Sequence, residues 1–584
     1  MAPTYTLYHG TFIQLPRQIV PTHPKPSLEI NTGVLWVSNC DGKIQGFDWS
    51  VGLDSEDGDE ESLSAFVHSK GWTVWKDGAV DAKAGAETVS IVQGGRKGRN
   101  GFFFPGFIDT HIHASQYPNA GIFGSSTLLD WLKKYTFPME KSFGAIGEGK
   151  VAPPQAYTVY NKVISRTLSH GTTTASYFAT VHVPATNLLA ALCYRRGQRA
   201  FVGRVCMDNL VFCPEDYHDA SSEESVSATK EVIEYIHALD PEGKLVAPIV
   251  TPRFAPTCSN EALCGLGKLA ASYTPPLHIQ THISENKNEV LLVKELFQES
   301  EGYAHVYEES ALLTPRTILA HAVHLTPEEM ALVKARDAKI SHCPASNSAL
   351  GSGHCPVRTL MDEGITVGLG TDVSGGYSPS ILESSRQACL VSRLVSSQAD
   401  VTTGRETLSV EEALYLATRG GAQVVDMADQ IGGFEKGMYF DAQLIELGPV
   451  VESVSSEADC EGVTEEAKED MGNVDVFGWE NWEEKIAKWV WNGDDRNVRA
   501  VWVSGRRRGR MPEEPTPAIS TFLGNVAIGS NHAMECQAYE FFDLWQAVVA
   551  KLVDTEDSTK FILRQNTKNT PQNWSLRQVN DWTG

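Results

Sequence analysis

Between residues 105 and about 430, short apolar and β-branched runs alternate with helical-looking stretches, and this alternation is the strongest constraint on the fold. Strands that alternate with helices pair in parallel, and eight such units close into a (β/α)8 barrel. We therefore predict an α/β fold with a TIM-like barrel over 105–430, whose active site lies at the carboxyl ends of its strands. The eight runs are PGFIDTHIH, HGTTTASYF, RAFVGRVCM, LVAPIVTPRF, LHIQTHISE, TILAHAVHL, AKISHCPAS and TVGLGTDVS.

The flanking segments, residues 1–104 and 431–511, have a different pattern. They alternate apolar and polar residues and contain many turn residues, which is typical of short antiparallel strands. We predict that the two segments together form a small β-sandwich domain. The acidic stretch 54–64 is expected to be a disordered surface loop. The remaining residues, 512–584, form an extra tail that is expected to be partly disordered or helical.

Composition excludes several classes of partner. The chain has 49 Lys and Arg against 73 Asp and Glu, a net charge of −24, so nucleic acid and anionic membranes are not expected as partners. The sequence contains neither a signal peptide pattern nor an apolar run of the roughly 20 residues that a membrane helix needs. Its 11 cysteines are scattered, without a CxxC pair, which favours a reduced protein in the cytoplasm.

Histidines end several of the predicted strands. His111 and His113 are two residues apart in an extended run, so both side chains point to the same side. Two core histidines would satisfy that spacing too. Other runs, however, also carry metal-ligand or charged residues at or near their ends, where a barrel builds its active site. These residues are Arg253, His282, Glu285, His321 and Asp372.

Neutral imidazoles with one carboxylate suit a divalent first-row metal such as zinc, with one position left open for water. Asp372 lies between Gly370 and the pair Gly375-Gly376, which allows the backbone to approach closely. A second metal would commonly need a modified Lys at the end of the fourth strand. The fourth run ends in Thr-Pro-Arg-Phe, and its Lys244 lies at the other end. We therefore expect one metal ion per chain.

Several segments between 105 and about 500 resemble the metal-dependent amidohydrolases, and in particular the branch of that family that acts on guanine. The HxH pair and the TD strand end mark only the superfamily, whereas the ASQY, YTFPME and TPRF segments are more selective. The segments 54–64 and 512–584 are not part of the resemblance. The matching segments are PGFIDTHIHASQY, LLDWLKKYTFPME, HGTTTASYFAT, VCMDN, TPRFAPTCS, HIQTHISEN, HCPASN, VGLGTDVSGGYS and GDDRN.

The resemblance implies specific residue roles. The metal ligands would be His111, His113, His282 and Asp372, with zinc as the ion. His321 would hydrogen-bond the attacking water or the reacting centre, and a role as fifth ligand is the alternative. Catalysis would rest on Glu285, as the proton shuttle, together with His321 and Asp372.

The substrate implied by the resemblance is guanine, which would be hydrolysed to xanthine and ammonia by a homodimeric enzyme. Gln116, Arg253 and Phe254 would hold the purine, next to His113, His282, Glu285 and Asp372. Arg253 can donate to the O6 carbonyl, and Gln116 has both a donor and an acceptor for an amide-like edge. Arg253 could instead form a salt bridge at the rim, and Gln116 could instead join a strand to a loop.

Two other functions stay open on the sequence alone. The chain could be another aminohydrolase of the same superfamily that acts on an adenosine-like or triazine-like ring, although Arg253 argues against a ring without a carbonyl at C6. It could also be a non-catalytic scaffold on a barrel that has lost its activity. The presence of every expected ligand and of Glu285 argues against a scaffold.

Overall fold

The computed structural model describes residues 3–17, 26–52, 58–75, 87–96, 98–147, 151–398, 405–451 and 472–508. The chain divides into two units, Met1–Arg510 and Met511–Gly584. The second unit, which contains the whole of the predicted tail 512–584, lies outside the described residues. The following description therefore concerns the first unit.

The N-terminal segment contributes strands and one helix. The helix, α1, spans Gly58–Ser69. The strands are β1 Tyr5–Gln14, β2 Glu29–Ser38, β3 Ile44–Asp48, β4 Thr73–Val74, β5 Thr88–Gln93 and β6 Gly101–Pro105.

Each of the eight predicted runs contains a strand of one parallel sheet, so the predicted barrel is confirmed. The third run contains two strands, of which the shorter, β10, pairs only with β11. The other strands follow one another around the sheet in chain order. They are β7 Phe107–His113, β8 Thr172–Phe178, β9 Arg199–Gly203, β10 Val205–Cys206, β11 Val246–Pro252, β12 His278–Ile283, β13 Thr317–His321, β14 Lys339–His342 and β15 Val367–Leu369.

Helices connect the barrel strands. No helix in the described ranges is both long enough and apolar enough to cross a membrane. Two short 3-10 helices, Ala114–Asn119 and Ala255–Thr257, directly follow barrel strands, and π-helical turns occur at Leu132–Thr136 and Leu416–Gly420. The α-helices are α2 Leu128–Trp131, α3 Phe137–Lys141, α4 Pro154–Ser169, α5 Val183–Arg196, α6 Ser222–Leu239, α7 Asn260–Ala271, α8 Lys287–Leu296, α9 Tyr303–Glu309, α10 Pro327–Ala335, α11 Pro344–Ala349, α12 Val357–Asp362, α13 Ile381–Gln398, α14 Val410–Tyr415 and α15 Gly421–Val424.

The two chain ends join in a second sheet. Strands β16 (Ala442–Glu446), β17 (Val498–Val503) and β18 (Arg506–Arg508) extend the sheet of β1–β6 in the order β18-β17-β16-β6-β1-β2-β3. The predicted association of N- and C-terminal segments is thus present, as one nine-stranded sheet. Helix α16, Trp482–Asn492, begins with a capping box between Asn481 and Glu484 and matches the helical pattern of its sequence.

The predicted acidic loop over 54–64 was wrong for the residues from 58 onward, which lie in α1. Leu63, Phe66 and Val67 recur at the spacing of one helical face, and all three are buried against the N-terminal sheet. The apolar face that stabilises the helix lies mostly after the acidic run, which explains why composition alone suggested a loop. Residues 54–57 lie outside the described residues.

Trp489 connects the C-terminal helix to the start of the barrel. Its ring is fully buried and lies parallel to that of Phe107, with centroids 5.9 Å apart and an interplanar angle of 10°. It also contacts Phe102 at 5.5 Å and Phe104 at 5.3 Å, edge to face. This aromatic cluster spans Gly106, where the chain passes from the terminal sheet into β7, so it fixes the strand that carries the paired histidines.

We therefore expect Trp489→Ala to destabilise the protein by about 3–5 kcal/mol, the cost of removing a large buried aromatic side chain. Chemical denaturation followed by fluorescence would measure the loss. Trp479→Ala is the matched control, because Trp479 is 77% exposed and its removal should change stability by less than about 0.5 kcal/mol. Equal stability of the two variants would contradict the assigned role of Trp489.

Candidate active site

The predicted site residues meet at the carboxyl ends of the barrel strands. His111 and His113 end β7, His282 lies near the end of β12, and His321 is the last residue of β13. Asp372 follows β15 by three residues. All five side chains are buried or nearly so. Residues separated by up to 261 positions in the sequence therefore share one small volume.

Three imidazoles and one carboxylate form a compact cluster. His111, His113, His282 and Asp372 each offer one ligand atom, and these atoms all lie within 4.8 Å of one another. Asp372 Oδ1 is 3.1 Å from His111 Nε2 and 3.3 Å from His113 Nε2. The Nε2 atoms of His113 and His282 are 3.1 Å apart. This donor set is the one that divalent first-row metals prefer.

The protonation states of the cluster suit a cation. Burial lowers the pKa of His113 to about 4 and that of His282 well below its usual value, so both imidazoles are neutral at pH 7. Burial raises the pKa of Asp372, but the charge and hydrogen bonding of His111 outweigh it and bring the pKa well below the usual value. These residues therefore fit a divalent metal ion.

The tautomer of His282 follows from its hydrogen bond. Its Nδ1 lies 2.6 Å from the backbone carbonyl oxygen of Arg253. A carbonyl oxygen can only accept, so Nδ1 carries the proton and Nε2 keeps a free lone pair directed into the cluster. Such a contact is the usual way in which proteins orient a metal-binding histidine.

A second group, made of His111, His321 and Cys343, also lies within 4.8 Å. Burial raises the pKa of the Cys343 thiol well above its usual value, which disfavours the thiolate that binds metals. His321 Nε2 is 3.5 Å from Glu285 Oε2 and 3.7 Å from Asp372 Oδ2. His321 thus lies beside the carboxyl groups of both Glu285 and Asp372, outside the four-residue cluster.

Glu285 adjoins the cluster as a protonated acid. Burial and the nearby charge of Asp372 raise the pKa of its carboxyl to about 8. Ser352 Oγ donates a hydrogen bond of 2.9 Å to Glu285 Oε1. Glu289 Oε2 accepts the backbone N–H of Glu285 at 2.7 Å and fixes where the acid lies. A carboxyl that keeps its proton near neutral pH can act as a general acid.

A second polar group lies at another wall of the same cleft. Arg253, which is 2% exposed, forms a two-pronged ion pair with the fully buried Glu140. Gln116 Nε2 donates to Glu140 Oε1 at 2.7 Å, and Gln116 Oε1 lies 3.4 Å from both N and Oγ of Ser374. Arg253 therefore forms a salt bridge, but deep in the molecule and not at the rim.

One cleft joins the two polar groups. Phe254 forms part of its wall, with its ring 6.3 Å from that of His282. Trp131 also lines the cleft, whereas Phe137 lies behind it, 5.2 Å from the guanidinium of Arg253. The lining residues are His113, Gln116, Leu128, Trp131, Leu132, Arg253, Phe254, His282, Glu285, Leu350 and Asp372.

Comparison with known proteins identifies the family. The sequence profile described as "Amidohydrolase family" matches residues 102–508. The chain belongs to the amidohydrolase family. It is 48% identical over 431 residues to the Schizosaccharomyces pombe protein named "Probable guanine deaminase", covering 74% of this chain and 76% of that protein. It is 41% identical to human guanine deaminase, over 70% of this chain and 82% of the human protein.

A solved structure agrees with these sequence comparisons. The structure of guanine deaminase from C. acetobutylicum, with guanine bound in its active site, covers 86% of this chain and 100% of its own chain. Its TM-score to this chain is 0.66 at 30% identity. The predicted membership of this amidohydrolase branch and the predicted barrel are therefore confirmed.

Four polar residues of this amidohydrolase site were not assigned roles from the sequence. Asp109 Oδ2 accepts from Thr371 Oγ1 at 2.5 Å, and its Oδ1 accepts the backbone N–H of Thr371 at 3.0 Å. Asn347 Oδ1 lies 2.9 Å from His321 Nδ1. Asp109 could have been found, because it precedes His111 by two residues and therefore shares its side of the strand. The others, Glu140, Asn347 and Ser352, lie in helices and loops that no periodicity marks.

The cluster predicts a specific effect on metal content. His282→Ala removes one ligand of the four, and we expect the bound metal per chain to fall more than about tenfold. Mass spectrometry of the purified protein would measure the metal directly. His237→Ala, at an exposed position of α6, is the control and should retain the metal. Full metal content in His282→Ala would exclude His282 as a ligand.

Proposed function

We propose that this amidohydrolase hydrolyses guanine to xanthine and ammonia. One observation supports the proposal above others: three of the four candidate metal ligands, His113, His282 and Asp372, line a single cleft together with Glu285 and Arg253. The relatives reported above, which carry the name guanine deaminase, support the same substrate. The proposed ligands are His111, His113, His282 and Asp372.

A divalent ion held by these four residues would supply a nucleophile at neutral pH by lowering the pKa of a water molecule towards about 7. The carboxylate of Asp372 can accept a proton from the attacking water, since its pKa is held well below the usual value. Its Oδ2 is the oxygen that faces His321. His321 is proposed to hydrogen-bond the water or the reacting carbon and so to orient the attack.

Glu285 is proposed to carry the protons. The oxygen of water bonds to C2 of guanine, and the C2–N bond of the amino group later breaks. Glu285 first donates its proton to ring nitrogen N3, which takes up the electron pair displaced by the attack. Glu285 then takes the proton of the new C2 hydroxyl as the C2=O bond forms and passes it to the departing amino group, which leaves as ammonia. The proton held by Asp372 restores Glu285. Positioned acids and bases of this kind typically accelerate a reaction by about 10²–10⁴-fold.

The other end of the cleft is proposed to recognise the ring. Arg253 donates to the O6 carbonyl, Gln116 contacts the adjacent N–H, and Phe254 packs against the ring face. A ring of the adenosine type has an amino group at C6, which offers donors to Arg253 where guanine offers an acceptor. The N–H group of Arg253 that Glu140 does not accept would then be buried without an acceptor, which is costly, so this alternative ring is disfavoured.

The proposal also includes one zinc ion per chain, a homodimer and a cytoplasmic location. A single ion is favoured because the fourth barrel strand is followed by Arg253 and has no lysine at that end. The cytoplasmic location is supported by the nine free cysteines of the described residues. Metal analysis, analytical ultracentrifugation and imaging of the tagged protein would test these three points.

Ammonia release separates the candidate substrates. With zinc-loaded protein, we expect turnover of guanine and at least about 10³-fold lower kcat/KM for adenine and cytosine, because the wrong ring leaves buried polar groups unpaired. A coupled ammonia assay on the three bases would measure this. Turnover of adenine without turnover of guanine would refute both the substrate and the role of Arg253.

Glu285→Gln tests the proton shuttle. The amide occupies nearly the same volume but cannot deliver a proton, so kcat should fall by about 10²–10⁴-fold. Metal content should be retained, since Glu285 is not among the four clustered residues. Glu309→Gln, on α9, is a control of the same chemistry outside the cleft. Unchanged turnover in Glu285→Gln would remove this residue from the mechanism.

A further inference from the structure

Glu140 is the central residue of the recognition end of the cleft, although it does not line the cleft itself. It lies on α3 and is fully buried. Its Oε2 accepts from Arg253 Nη1 at 2.6 Å and from Tyr217 OH at 2.8 Å. Its Oε1 accepts from Arg253 Nη2 at 3.1 Å and from Gln116 Nε2 at 2.7 Å.

We propose that Glu140 is a positioning residue that sets substrate selectivity, because it fixes Arg253 as a donor and the Gln116 amide oxygen as the neighbouring acceptor. The ligand class that fits such a pair is a heterocycle with adjacent ring C=O and N–H groups. This inference rests on the proposed function, since it concerns how the same site recognises its base.

The first step concerns Arg253. Its two Nη atoms each give one hydrogen to Glu140, which holds the plane of the guanidinium in a two-pronged pair. Nη2 makes no other hydrogen bond among the described residues, so one of its N–H groups remains for a ligand. The ring of Phe137 lies 5.2 Å from the guanidinium carbon and limits its movement on one side. Arg253 therefore presents a donor in one fixed place.

The second step concerns Gln116, whose amide could in principle present either end. Burial raises the pKa of Glu140, but the charge of Arg253 outweighs it and holds the pKa below its usual value, so the carboxylate is ionised. An ionised carboxylate only accepts, which forces Gln116 Nε2 towards Glu140. Gln116 Oε1 is left with only the long contacts of 3.4 Å to Ser374 and keeps acceptor capacity for a ligand.

The third step concerns charge. Arg253 and Glu140 together are neutral, so the recognition end attracts no anion and suits an uncharged base. The ion pair between Arg253 and Glu140 also excludes an arrangement in which Gln116 donates to the ligand and Arg253 turns away from the cleft. A ligand with the inverted pattern has an amino group beside an unprotonated ring nitrogen. Its amino group would face the N–H donor of Arg253, so two donors would oppose each other. Selectivity thus arises from a side chain one layer behind the cleft.

Hypoxanthine and unsubstituted purine separate this role from a merely structural one. Hypoxanthine has the C6 carbonyl and the N1–H but no amino group at C2, so it binds without being deaminated. Purine has neither the carbonyl nor the N1–H. Inhibition constants for both, together with KM and kcat for guanine, would be measured with zinc-loaded enzyme. Direct titration calorimetry of both ligands would accompany the kinetics.

We expect Glu140→Gln to raise the guanine KM and the hypoxanthine inhibition constant by about 30–100-fold each, as for lost recognition of a polar substrate group. The purine constant should change less than about threefold, and kcat should fall less than about tenfold. Glu140→Asp keeps the charge but shortens its reach, and it should restore part of the preference for hypoxanthine over purine. The aspartate variant also keeps the test decisive if Glu140→Gln does not fold.

Glu412→Gln is the matched control. Glu412 is 1% exposed and forms a buried ion pair with Arg358, and neither residue lines the cleft. Its substitution should lower thermal stability without changing either inhibition constant. Two results would overturn the proposal. One is that the Glu140 variants bind purine and hypoxanthine more weakly by the same factor. The other is that kcat falls while KM and the inhibition constants stay unchanged.

Failure of the proposed function would look different. If the wild-type protein released no ammonia from guanine, the enzymatic assignment would fall, whereas calorimetry would still report the affinity ratio of hypoxanthine to purine. A wild-type ratio near one would then also remove the selectivity assigned to Glu140. If the wild-type protein turned over guanine normally and both Glu140 variants kept the wild-type affinity ratio of hypoxanthine to purine, only the role of Glu140 would be refuted.

Discussion

The closure of the barrel between its first and last strands is the contact on which the site depends. The backbone N–H of Asp372 donates to the carbonyl of His111 at 2.8 Å, and the N–H of His113 donates to that of Val373 at 3.0 Å. These bonds bring the two ends of the strand series together. Asp372 adopts a left-handed φ of 46°, which an L-residue holds only when its surroundings compensate. Barrel closure and assembly of the candidate ligand cluster are therefore one event.

Depth of burial then determines the chemistry of each group. The same low-polarity surroundings keep the imidazoles of His113 and His282 neutral and keep the proton on Glu285. Asp372 stays ionised because His111 and His113 surround it closely. Two neighbouring carboxyl groups, that of Asp372 in the cluster and that of Glu285 beside it, thus differ in protonation state, as a base and an acid must.

The sequence was sufficient for the barrel and for the strand-end residues, because both follow from periodicity. His111 and His113 are detectable as a pair two residues apart on a strand, and Asp372 follows a strand and lies between Gly370 and Gly375. Periodicity could not have identified Glu140, because it lies on a five-residue helix and its partner Arg253 is 113 positions away. Helix α1 was missed for a related reason, since its acidic first turns concealed the face that contains Leu63, Phe66 and Val67.

Arg253 connects the two ends of the cleft through a single residue. Its backbone carbonyl fixes the tautomer of His282, and its side chain pairs with Glu140 at the recognition wall. A shift of the Arg253 backbone would therefore move a candidate metal ligand and the proposed base-binding donor together. Catalysis depends on placing the reacting carbon against the nucleophile within fractions of an ångström. This shared support would hold the proposed base-binding donor and the candidate metal ligand at a constant distance from each other. Arg253 directly follows β11, so one strand end supports both contacts.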